Sequence, residues 1–341
     1  MTNKYDEKYD IRLAEYKEIP EVMKFIDSHW KKGHILANDR NFFEYEMVVD
    51  GTVNFLIAKT WDGGIIEGIL GFLPCSRSKD KLDIWGVIWK TIESAMPMLG
   101  MELKRRLMSI TGARTELGVG ANHGTSIPLL SRIYHYYTAK MQHYYRLADC
   151  KEYKIAKIVE KQISPYQCDN LTQVIRLRTV QEFQSFFDFS KVMDVVPYKD
   201  LWYYRKRFYE HPIFEYEIWG LSNKESDRAV CVTRRQNCNG KTAVRIVDYI
   251  GEQKLFAGCG RFLDELLKEN EYVDFYFDGF DEHYALDAGM VKVRDDDPNI
   301  IPNHFAPFEQ VNVDIYVDSS DRYHVCTFFK ADGDQDRPSL I

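Results

Sequence analysis

Asp83-Ile84-Trp85-Gly86-Val87-Ile88-Trp89-Lys90 is the stretch that decides the fold, and it is followed by Thr91 to Pro97 and by Met98-Leu99-Gly100-Met101-Glu102-Leu103. It predicts a strand, a glycine-containing turn and the start of a helix. A second strand is predicted from Arg114 to Val119, and it opens into Gly120 to Thr125 and another helix. Because the start of a helix leaves N–H groups unpaired and carries a partial positive charge, the first turn is suited to a pyrophosphate.

Length and composition bound the classes of protein that this chain can belong to. At 341 residues two domains are expected, because one core rarely grows beyond roughly 250–300 residues. The net charge of −7 argues against a nucleic-acid partner, since phosphate binding needs a basic surface. It leaves room for one small anionic ligand held by a local cluster of Arg and Lys.

Cysteine usage and hydropathy indicate the compartment. The seven cysteines include no C-x-x-C pair, which is typical of reduced, packed thiols rather than of a disulfide frame or a zinc site. The first ten residues are polar and of mixed charge, and no apolar run reaches the roughly 18–20 residues that span a bilayer. We therefore expect a cytoplasmic protein with no membrane partner and no metal. The run Asp295 to Asp297 is interpreted as a solvated loop because no ligand partners lie at useful spacing.

The order of predicted elements divides the chain into two halves. Residues 1–150 predict the order βααβββαβα, with a hairpin turn at Asp62-Gly63-Gly64. Residues 151–170 are more polar and are interpreted as a crossover. A similar order begins again at Gln173, including a helix from Trp202 to Tyr209 and a final strand from Tyr323 to Lys330. The predicted class is α+β, with domains 1–150 and 151–341, each a mixed, mostly antiparallel sheet flanked by helices.

These features together resemble a tandem protein of the GNAT acyltransferase superfamily. In that family acyl-CoA inserts beside a splayed strand, and an R/Q-x-x-G-x-G/A turn holds the pyrophosphate. Here only Gly100 of the two glycines is present and the leading Arg or Gln is absent. The resemblance implies acyl-CoA as co-substrate and a set of residues that contact it: Ile88, Trp89 and Lys90 at the pantetheine, Met98, Leu99, Gly100 and Met101 in the turn, Lys104 as added charge, and Asn122 after the next strand.

Acyl transfer to an amine needs a proton acceptor for the amine, donors for the oxyanion and close positioning of both substrates. Asp83 stands where family members often carry a catalytic carboxylate. The alternative for Asp83 is a solvated residue at the start of a strand. His34 and His123 are competing bases, and each is also explained as a loop or core histidine. Tyr134 is the nearest tyrosine to the position from which family members protonate the thiolate, although it lies one turn later.

The second half resembles a GNAT domain that has lost its acyl-CoA function. Tandem chains with an ending like Asp332 to Pro338 resemble acyltransferases of bacterial surface-polysaccharide (anthrose-type) pathways, some of which acylate an amino sugar carried on a nucleoside diphosphate. Carboxylates can accept hydrogen bonds from sugar hydroxyls and Arg can bind phosphate bidentately. The alternative is a frayed tail. The expected acceptor contacts are the aromatic and basic residues of an interdomain cleft and the tail: Trp30, Trp202, Arg205, Tyr249, Asp332, Asp334, Asp336 and Arg337.

The leading hypothesis is an N-acyltransferase that moves an acyl group from acyl-CoA to the amine of a nucleotide-linked amino sugar. A second hypothesis has an amino acid, a peptide or an antibiotic amine as the acceptor. A third, from a different class, is a non-catalytic tandem domain that binds acyl-CoA or a sugar. Release of free CoA thiol with a panel of amines separates the three.

Overall fold

The computed structural model describes residues 3–166 and 172–339, and in it the chain forms two compact units. The first unit runs to Gly118 and includes the end of the chain from Arg337; the second is Val119–Asp336. The predicted boundary at residue 150 therefore lies too late. The reason is that Gln142–Leu147 forms a strand paired with Tyr272–Asp278, so residues before 150 already build the sheet of the second unit.

The first unit is a sheet with helices on both faces. Its strands are β1 Tyr9–Leu13, β2 Val48–Val49, β3 Thr52–Val53, β4 Phe55–Thr60, β5 Ile66–Pro74, β6 Asp83–Thr91 and β7 Thr115–Val119. Its helices are α1 Lys4–Lys8, α2 Ile19–Phe25, α3 Ile35–Asn38, α4 Arg40–Met47 and α5 Leu99–Thr111, with a 3₁₀ turn at Tyr16–Glu18 and a π turn at Ile26–Trp30. The sheet order is β1-β4-β5-β6-β7, and only β6 and β7 run parallel.

Alternation along β4 explains why this sheet carries helices on both faces. Phe55 and Ile57 pack into the cluster formed with α2, α3 and α4. Leu56 and Ala58 pack on the other face against α5. Since successive side chains of a strand point to opposite faces, one apolar strand supplies both cores. The strand and the helix start predicted from Asp83 to Leu103 are confirmed, and the helix extends to Thr111, where Gly112 ends it in the left-handed conformation.

The second unit repeats this plan with more strands. They are β8 Tyr137–Lys140, β9 Gln142–Leu147, β10 Gln173–Arg176, β11 Tyr216–Ser222, β12 Arg228–Cys238, β13 Lys241–Gly251, β14 Tyr272–Asp278, β15 Val291–Lys292, β16 His304–Phe305, β17 Phe308–Glu309, β18 Tyr316–Ser319 and β19 Phe328–Phe329. Its helices are α6 Ser126–Arg132, α7 Val180–Phe186, α8 Leu201–Tyr204, α9 Gly260–Leu267 and α10 Glu282–Asp287, with 3₁₀ segments at Phe189–Val192 and Gln253–Cys259 and a π turn at Arg205–Tyr209.

The main sheet of the second unit has the order β10-β11-β12-β13-β14-β9-β15, and β19 pairs with β14. Its one parallel pair is β13 and β14 among neighbours that are otherwise antiparallel. The predicted α+β class, with two mostly antiparallel sheets flanked by helices, is confirmed. Within residues 3–166 and 172–339, no helix is both long and apolar enough to cross a bilayer.

Two predicted elements are shorter than expected. The helix predicted after Gly120 to Thr125 already ends at Arg132, and Tyr137–Lys140 is a strand that pairs with β18. The strand predicted from Tyr323 to Lys330 is reduced to Phe328–Phe329, with Tyr323 almost fully exposed. Apolar composition predicted the strand correctly at its buried end only.

Candidate functional site

The first unit contains a slot beside β6. The parallel strands β6 and β7 pair over three residues only, from Asp83 opposite Thr115 to Trp85 opposite Leu117. Both strands continue past this point, but among the described residues no further pairing joins them. The edge of β6 from Gly86 to Thr91, beyond its pairing with β7, is called the first slot below. Its residues are half-buried apart from Ile88, which is 2% exposed.

A β-bulge lies within the first slot. On the other side of β6, Leu70 of β5 faces Trp89, and Phe72 faces Gly86. Two steps along β5 therefore correspond to three along β6, so Val87 and Ile88 form the bulge. Bulges redirect backbone groups and are frequent beside active sites. Here the redirected N–H and C=O groups lie on the strand that borders the slot.

Gly86 is required by a close approach at the base of the first slot. A Cβ atom on this residue would lie 2.9 Å from Oε1 of Glu116, which projects from β7. A side chain would therefore displace Glu116. The glycine keeps the two strands close together at the point where their pairing ends.

The start of α5 is fastened to the first slot by Trp89. The indole N–H of Trp89 donates to the carbonyl oxygen of Gly100 at 2.9 Å, and a Cβ on Gly100 would lie 3.1 Å from the indole nitrogen. The glycine thus serves the packing of Trp89 against the helix. Met98, immediately before α5, has φ 67 and is 57% exposed. The first turn of the helix, with its partial positive charge, therefore lies beside the half-buried end of β6.

The sequence predicted that Lys104 adds positive charge at this helix start. In the structure its ammonium is instead paired with Glu116. Its Nζ lies 2.6 Å from Oε1 of Glu116, and both side chains are at most 6% exposed. The same ammonium lies 5.4 Å from the centre of the Trp89 ring. Lys104 lies more than one turn into α5, on the face that packs on the sheet, so it joins the helix to β7.

The other residues expected at the cofactor differ in what they present. The side chain of Ile88 belongs to the core under α2, α3 and α4, and Leu99 belongs to the core under α5. Only their backbone groups remain for a ligand. Lys90 and Met101 are half-buried. The predicted contacts at these positions stay predictions, with backbone rather than side chain as the expected partner at Ile88 and Leu99.

Asp83 is not a carboxylate that water can reach. It is fully buried, and it accepts from Nε of Arg114 at 3.0 Å and from Nη2 at 2.6 Å. Both residues stand at the beginning of the parallel pair, where the bidentate bond ties β6 to the residue before β7. This geometry explains Asp83 as a structural anion, and neither the catalytic role nor the solvated strand start expected from the sequence describes its position.

His34 caps the short helix α3. Its Nδ1 accepts from the backbone N–H of Leu36 at 3.3 Å, and its ring packs edge-on against Trp30 at 4.8 Å. Burial, followed by the positive charges of Arg337 and Lys31, lowers the pKa of His34 to about 3. The ring is therefore neutral at neutral pH and carries its proton on Nε2, an arrangement that does not suit a base.

The loop after β7 is organised by Asn122. Its Oδ1 accepts from the N–H groups of Gly124 and Thr125, at 2.9 and 3.0 Å. The side chain is thereby used to start α6. His123 is exposed and its ring lies 4.7 Å from Tyr316, whereas Tyr134 follows α6 and packs 5.7 Å from Tyr136. The structure leaves the proposed roles of these residues as predictions.

The residues expected to contact the acceptor do not form one set. Trp30 is 38% exposed in the first unit. In the second unit Arg205 is exposed and paired with Glu210, and Trp202 is half-buried. Tyr249 is 4% exposed and donates to the carbonyl oxygen of Glu252 at 2.9 Å, so it belongs to the core.

The predicted tail is ordered, but its charges face inward. Asp332 is fully buried and lies 2.6 Å from Nζ of Lys199. Asp336 accepts from two nitrogens of Arg234, at 3.0 and 2.6 Å. Arg337 belongs to the first unit, where its Nε donates to Glu46 at 2.7 Å. The frayed alternative is therefore wrong, and these three side chains are held by internal partners; Asp334 is half-buried.

Sequence reasoning missed the two features that shape the first slot. The bulge at Val87 and Ile88 has no distinct sequence signal, because both residues suit a regular strand equally well. The buried pair of Lys104 and Glu116 joins elements whose packing the sequence did not specify. The one available signal for this pair was Lys104 itself, a charged residue on the apolar side of the predicted helix.

Comparison with known proteins adds evidence on the fold. No family model matches the chain, and no curated protein matches it. Among solved structures, it is similar to the GCN5-related N-acetyltransferase of Anabaena variabilis, with a TM-score of 0.55 and 10% identity over 91% of this chain and 72% of that one. It is also similar to a probable N-acyltransferase of Enterococcus faecalis, with a TM-score of 0.54 and 9% identity over 91% and 72%. At such low identity these likenesses establish a GNAT-like fold of two domains.

Proposed function

We propose that this chain is an N-acyltransferase that uses acyl-CoA and that the acyl-CoA lies in the first slot. The observation that carries the proposal is the three-residue pairing of β6 with β7, followed by a bulged, half-buried strand edge that leads to α5. A pantetheine arm carries amide groups, so it can pair with such an edge as a strand does. The nearby helix start suits the pyrophosphate.

In this arrangement acyl transfer needs few side chains, because backbone groups can provide most of the contacts. The amine nitrogen attacks the thioester carbon, the carbon–sulfur bond breaks, and the leaving thiolate is protonated to the free thiol. Backbone N–H groups at the Val87–Ile88 bulge are suited to stabilise the oxyanion, because preorganised donors cost no rearrangement during the reaction. The amine must lose a proton. Asp83 and His34 are committed to Arg114 and to the cap of α3, so we expect a pH profile that neither residue determines.

For the acceptor we propose an amine on a nucleotide-linked sugar, bound by the second unit. A groove of about 890 Å³ there is lined by four arginines and by aromatic rings. The guanidinium of Arg234 lies 4.1 Å from the centre of the Phe214 ring, and that ring stacks on His211 at 5.2 Å. Arg176 and Arg235 pair with Glu217, whereas Arg178 is exposed. The groove thus offers aromatic rings to a base. Among its arginines the exposed Arg178 is the cation offered to a phosphate, since Arg234 is bonded to Asp336.

The test is release of CoA thiol from acetyl-CoA with three classes of amine: nucleoside-diphosphate amino sugars, amino acids and peptides. Turnover with the first class supports both parts of the proposal. Turnover with only the other two classes would support N-acyltransferase activity and contradict a nucleotide-linked acceptor. Binding of CoA without turnover for any amine would favour a binding protein.

Arg178→Ala refines this test. We expect it to raise KM for a nucleotide-linked acceptor about tenfold, since one exposed cation near phosphate contributes about 1.4 kcal/mol at intermediate dielectric, and to leave KM for acyl-CoA unchanged. Arg322→Ala, a variant of an exposed arginine outside the groove, is the control. An equal effect of both variants on KM would remove the groove from the proposal.

A further inference from the structure

The second unit repeats the arrangement that forms the first slot. Strands β13 and β14 are parallel and pair over three residues only, from Val244 opposite Val273 to Ile246 opposite Phe275. A 3₁₀ segment and α9 connect them, in the place that a turn and α5 occupy in the first unit. The edges beyond this pairing, from Val247 on β13 and from Tyr276 on β14, are called the second slot.

The second slot is filled by the chain itself. In β19, Phe329 pairs with Phe277 and Phe328 pairs with Asp278. The other edge of β14 is already taken by β9 along Tyr272–Phe277, so β19 lies on the side that β13 leaves. Two residues later the N–H of Ala331 donates to the carbonyl oxygen of Val247 at 2.8 Å. Residues 328–331 therefore bridge the two diverging strands.

Buried charges hold this segment in place. Nζ of Lys199 lies 2.6 Å from Oδ1 of Asp332 and 2.6 Å from Oδ2 of Asp248, which projects from β13. Oδ2 of Asp332 also accepts from the N–H of Phe329 at 2.8 Å. All three charged groups are at most 5% exposed. Because breaking a buried ion pair is costly, this cluster favours the observed placement of the segment.

A second set of buried contacts holds the same segment at Asp336. Asp336 receives the bidentate bond from Arg234 of β12, and the hydroxyl of Tyr216 of β11 donates to it at 2.9 Å. The ion cluster at Asp332 and the bidentate bond at Asp336 are four residues apart, one on each side of the half-buried turn around Asp334. Residues 328–336 are thus bound by backbone pairing at one end and by buried carboxylates at the middle and at the other end.

The start of α9 is also covered, unlike the start of α5. A Cβ on Gly260, the first residue of α9, would lie 2.1 Å from Cγ of Tyr166. The preceding 3₁₀ segment turns Leu255, Phe256 and Cys259 into the core. The corresponding place in the first unit is occupied by Met98, which is 57% exposed. Both parts of a cofactor site, the strand edge and the helix start, are therefore covered in the second unit.

We propose that the second slot is a binding site for the chain's own residues 328–336, which take the place that acyl-CoA takes in the first slot, so that one chain binds one acyl-CoA. The inference rests on the proposed function for the location of the cofactor. The ligand class of the second slot is an acidic peptide that supplies one backbone strand and two buried carboxylates. The slot holds residues 328–336 in place and binds no acyl-CoA.

The first test is hydrogen exchange of the full chain, which does not depend on any cofactor. The amides of Phe329 and Ala331 should exchange at least 100-fold more slowly than unprotected amides. Asp332→Asn should speed exchange over 328–331 at least tenfold relative to β14, whereas Asp296→Asn, at an exposed carboxylate of the same unit outside the segment, should leave it within twofold. Unprotected amides at Phe329 and Ala331 beside a protected β14 would overturn the proposal.

The second test is the binding stoichiometry of CoA, measured by calorimetry on the full chain. One site per chain is expected. Two sites, or one site that is lost when α9 rather than α5 is altered, would overturn the inference. If no CoA binds at all, the proposed function fails, and slow exchange at Phe329 and Ala331 would still establish the second slot as a peptide site; the two failures are therefore distinguishable.

Discussion

The two slots have the same backbone arrangement and differ in the burial of the residues that border them. In each, two parallel strands pair over three residues and then separate. The first slot is bordered by Gly86, Val87 and Trp89, which are half-buried, and the second by Val247, Asp248 and Tyr249, which are buried. The same strand geometry thus occurs with a half-buried edge and with an edge that is paired to a segment of the chain. What differs is whether the sequence supplies an occupant and the charges that hold it.

The charged residues show how this difference arises. In the first unit the buried pair Lys104–Glu116, and the pair of the exposed Arg114 with the buried Asp83, lie at the base of the parallel strands and support them. In the second unit Asp248 and Arg234 project from strands toward the terminal segment. Since an unpaired buried charge is costly, the guanidinium of Arg234 needs a carboxylate from the occupant of the second slot, and Asp336 supplies it.

The largest expected effect on stability is that of removing the bidentate bond between Arg234 and Asp336. Asp336→Ala leaves the buried guanidinium of Arg234 without its carboxylate, and breaking such a pair costs about 3–5 kcal/mol. Urea denaturation should show this loss, and the control variant Asp296→Ala, at an exposed carboxylate of the same unit, should change the free energy of unfolding by less than about 1 kcal/mol. A loss below 1 kcal/mol for Asp336→Ala would mean that the terminal segment does not lie in the second slot.

The stability of the second unit should depend on pH in two windows. Burial and the neighbouring Asp248 raise the pKa of Asp332 to about 7 from 3.8. The folded state then holds this proton more tightly than the unfolded chain, so the free energy of unfolding falls as pH rises from about 4 to about 7, by up to about 1.4 kcal/mol per pH unit.

Lys330 changes the free energy of unfolding at pH values above about 7. Burial and the charge of Arg245 lower the pKa of Lys330 to about 7 from 10.5. Between these values the unfolded chain binds more protons, so the free energy of unfolding rises with pH. A stability minimum near pH 7 is expected in denaturation curves. Asp332→Asn should remove the fall on its acidic side and Lys330→Met the rise on its alkaline side; a curve that neither variant changes would contradict the assignment.

Asp83→Asn tests the base of the first slot. It removes the charged partner of a bidentate bond, at a cost of about 2 kcal/mol in the free energy of unfolding. Turnover and CoA affinity, measured well below the melting temperature, should remain within about threefold of wild type, since the buried carboxylate reaches no substrate. A loss of kcat of roughly 10²–10⁴ at normal stability would instead restore Asp83 as the base.

The smallest effect is expected at the two helix starts. Met98→Asp places a carboxylate at the exposed start of α5 and should weaken CoA binding about tenfold, or about 1.4 kcal/mol, by repulsion of the pyrophosphate. Met98→Asn has nearly the same shape without the charge and suits the same left-handed backbone, so it separates charge from geometry. Arg261→Asp makes the corresponding change on the first turn of α9.

Calorimetry with CoA decides between the two helices. Met98→Asp should lose more affinity than Met98→Asn, and Arg261→Asp should bind as wild type does, because Tyr166 covers the start of α9. A larger loss with Arg261→Asp than with Met98→Asp would place the cofactor in the second unit and reverse the comparison.

Much of the fold could be predicted because local pattern agreed with tertiary structure. The hairpin at Asp62 to Gly64 and the strand at Asp83 carried strong local signals, and both formed. Candidate site residues were predicted less well, because a charged residue has the same local signal whether it faces a substrate or an internal partner. Asp83 and Asp336 were both singled out, and both are buried in bidentate pairs with arginines.

By itself the sequence determined that the chain builds two α+β units and that a strand, a turn and a glycine-containing helix start follow one another from Asp83. Alternating apolar residues and turn residues act over a few positions, so a single chain reveals them. Only the tertiary structure decided that one slot is half-buried and that the other holds the terminal segment. That outcome depends on partners far apart in sequence, such as Lys199 with Asp332 and Ala331 with Val247, and no local pattern records such pairings.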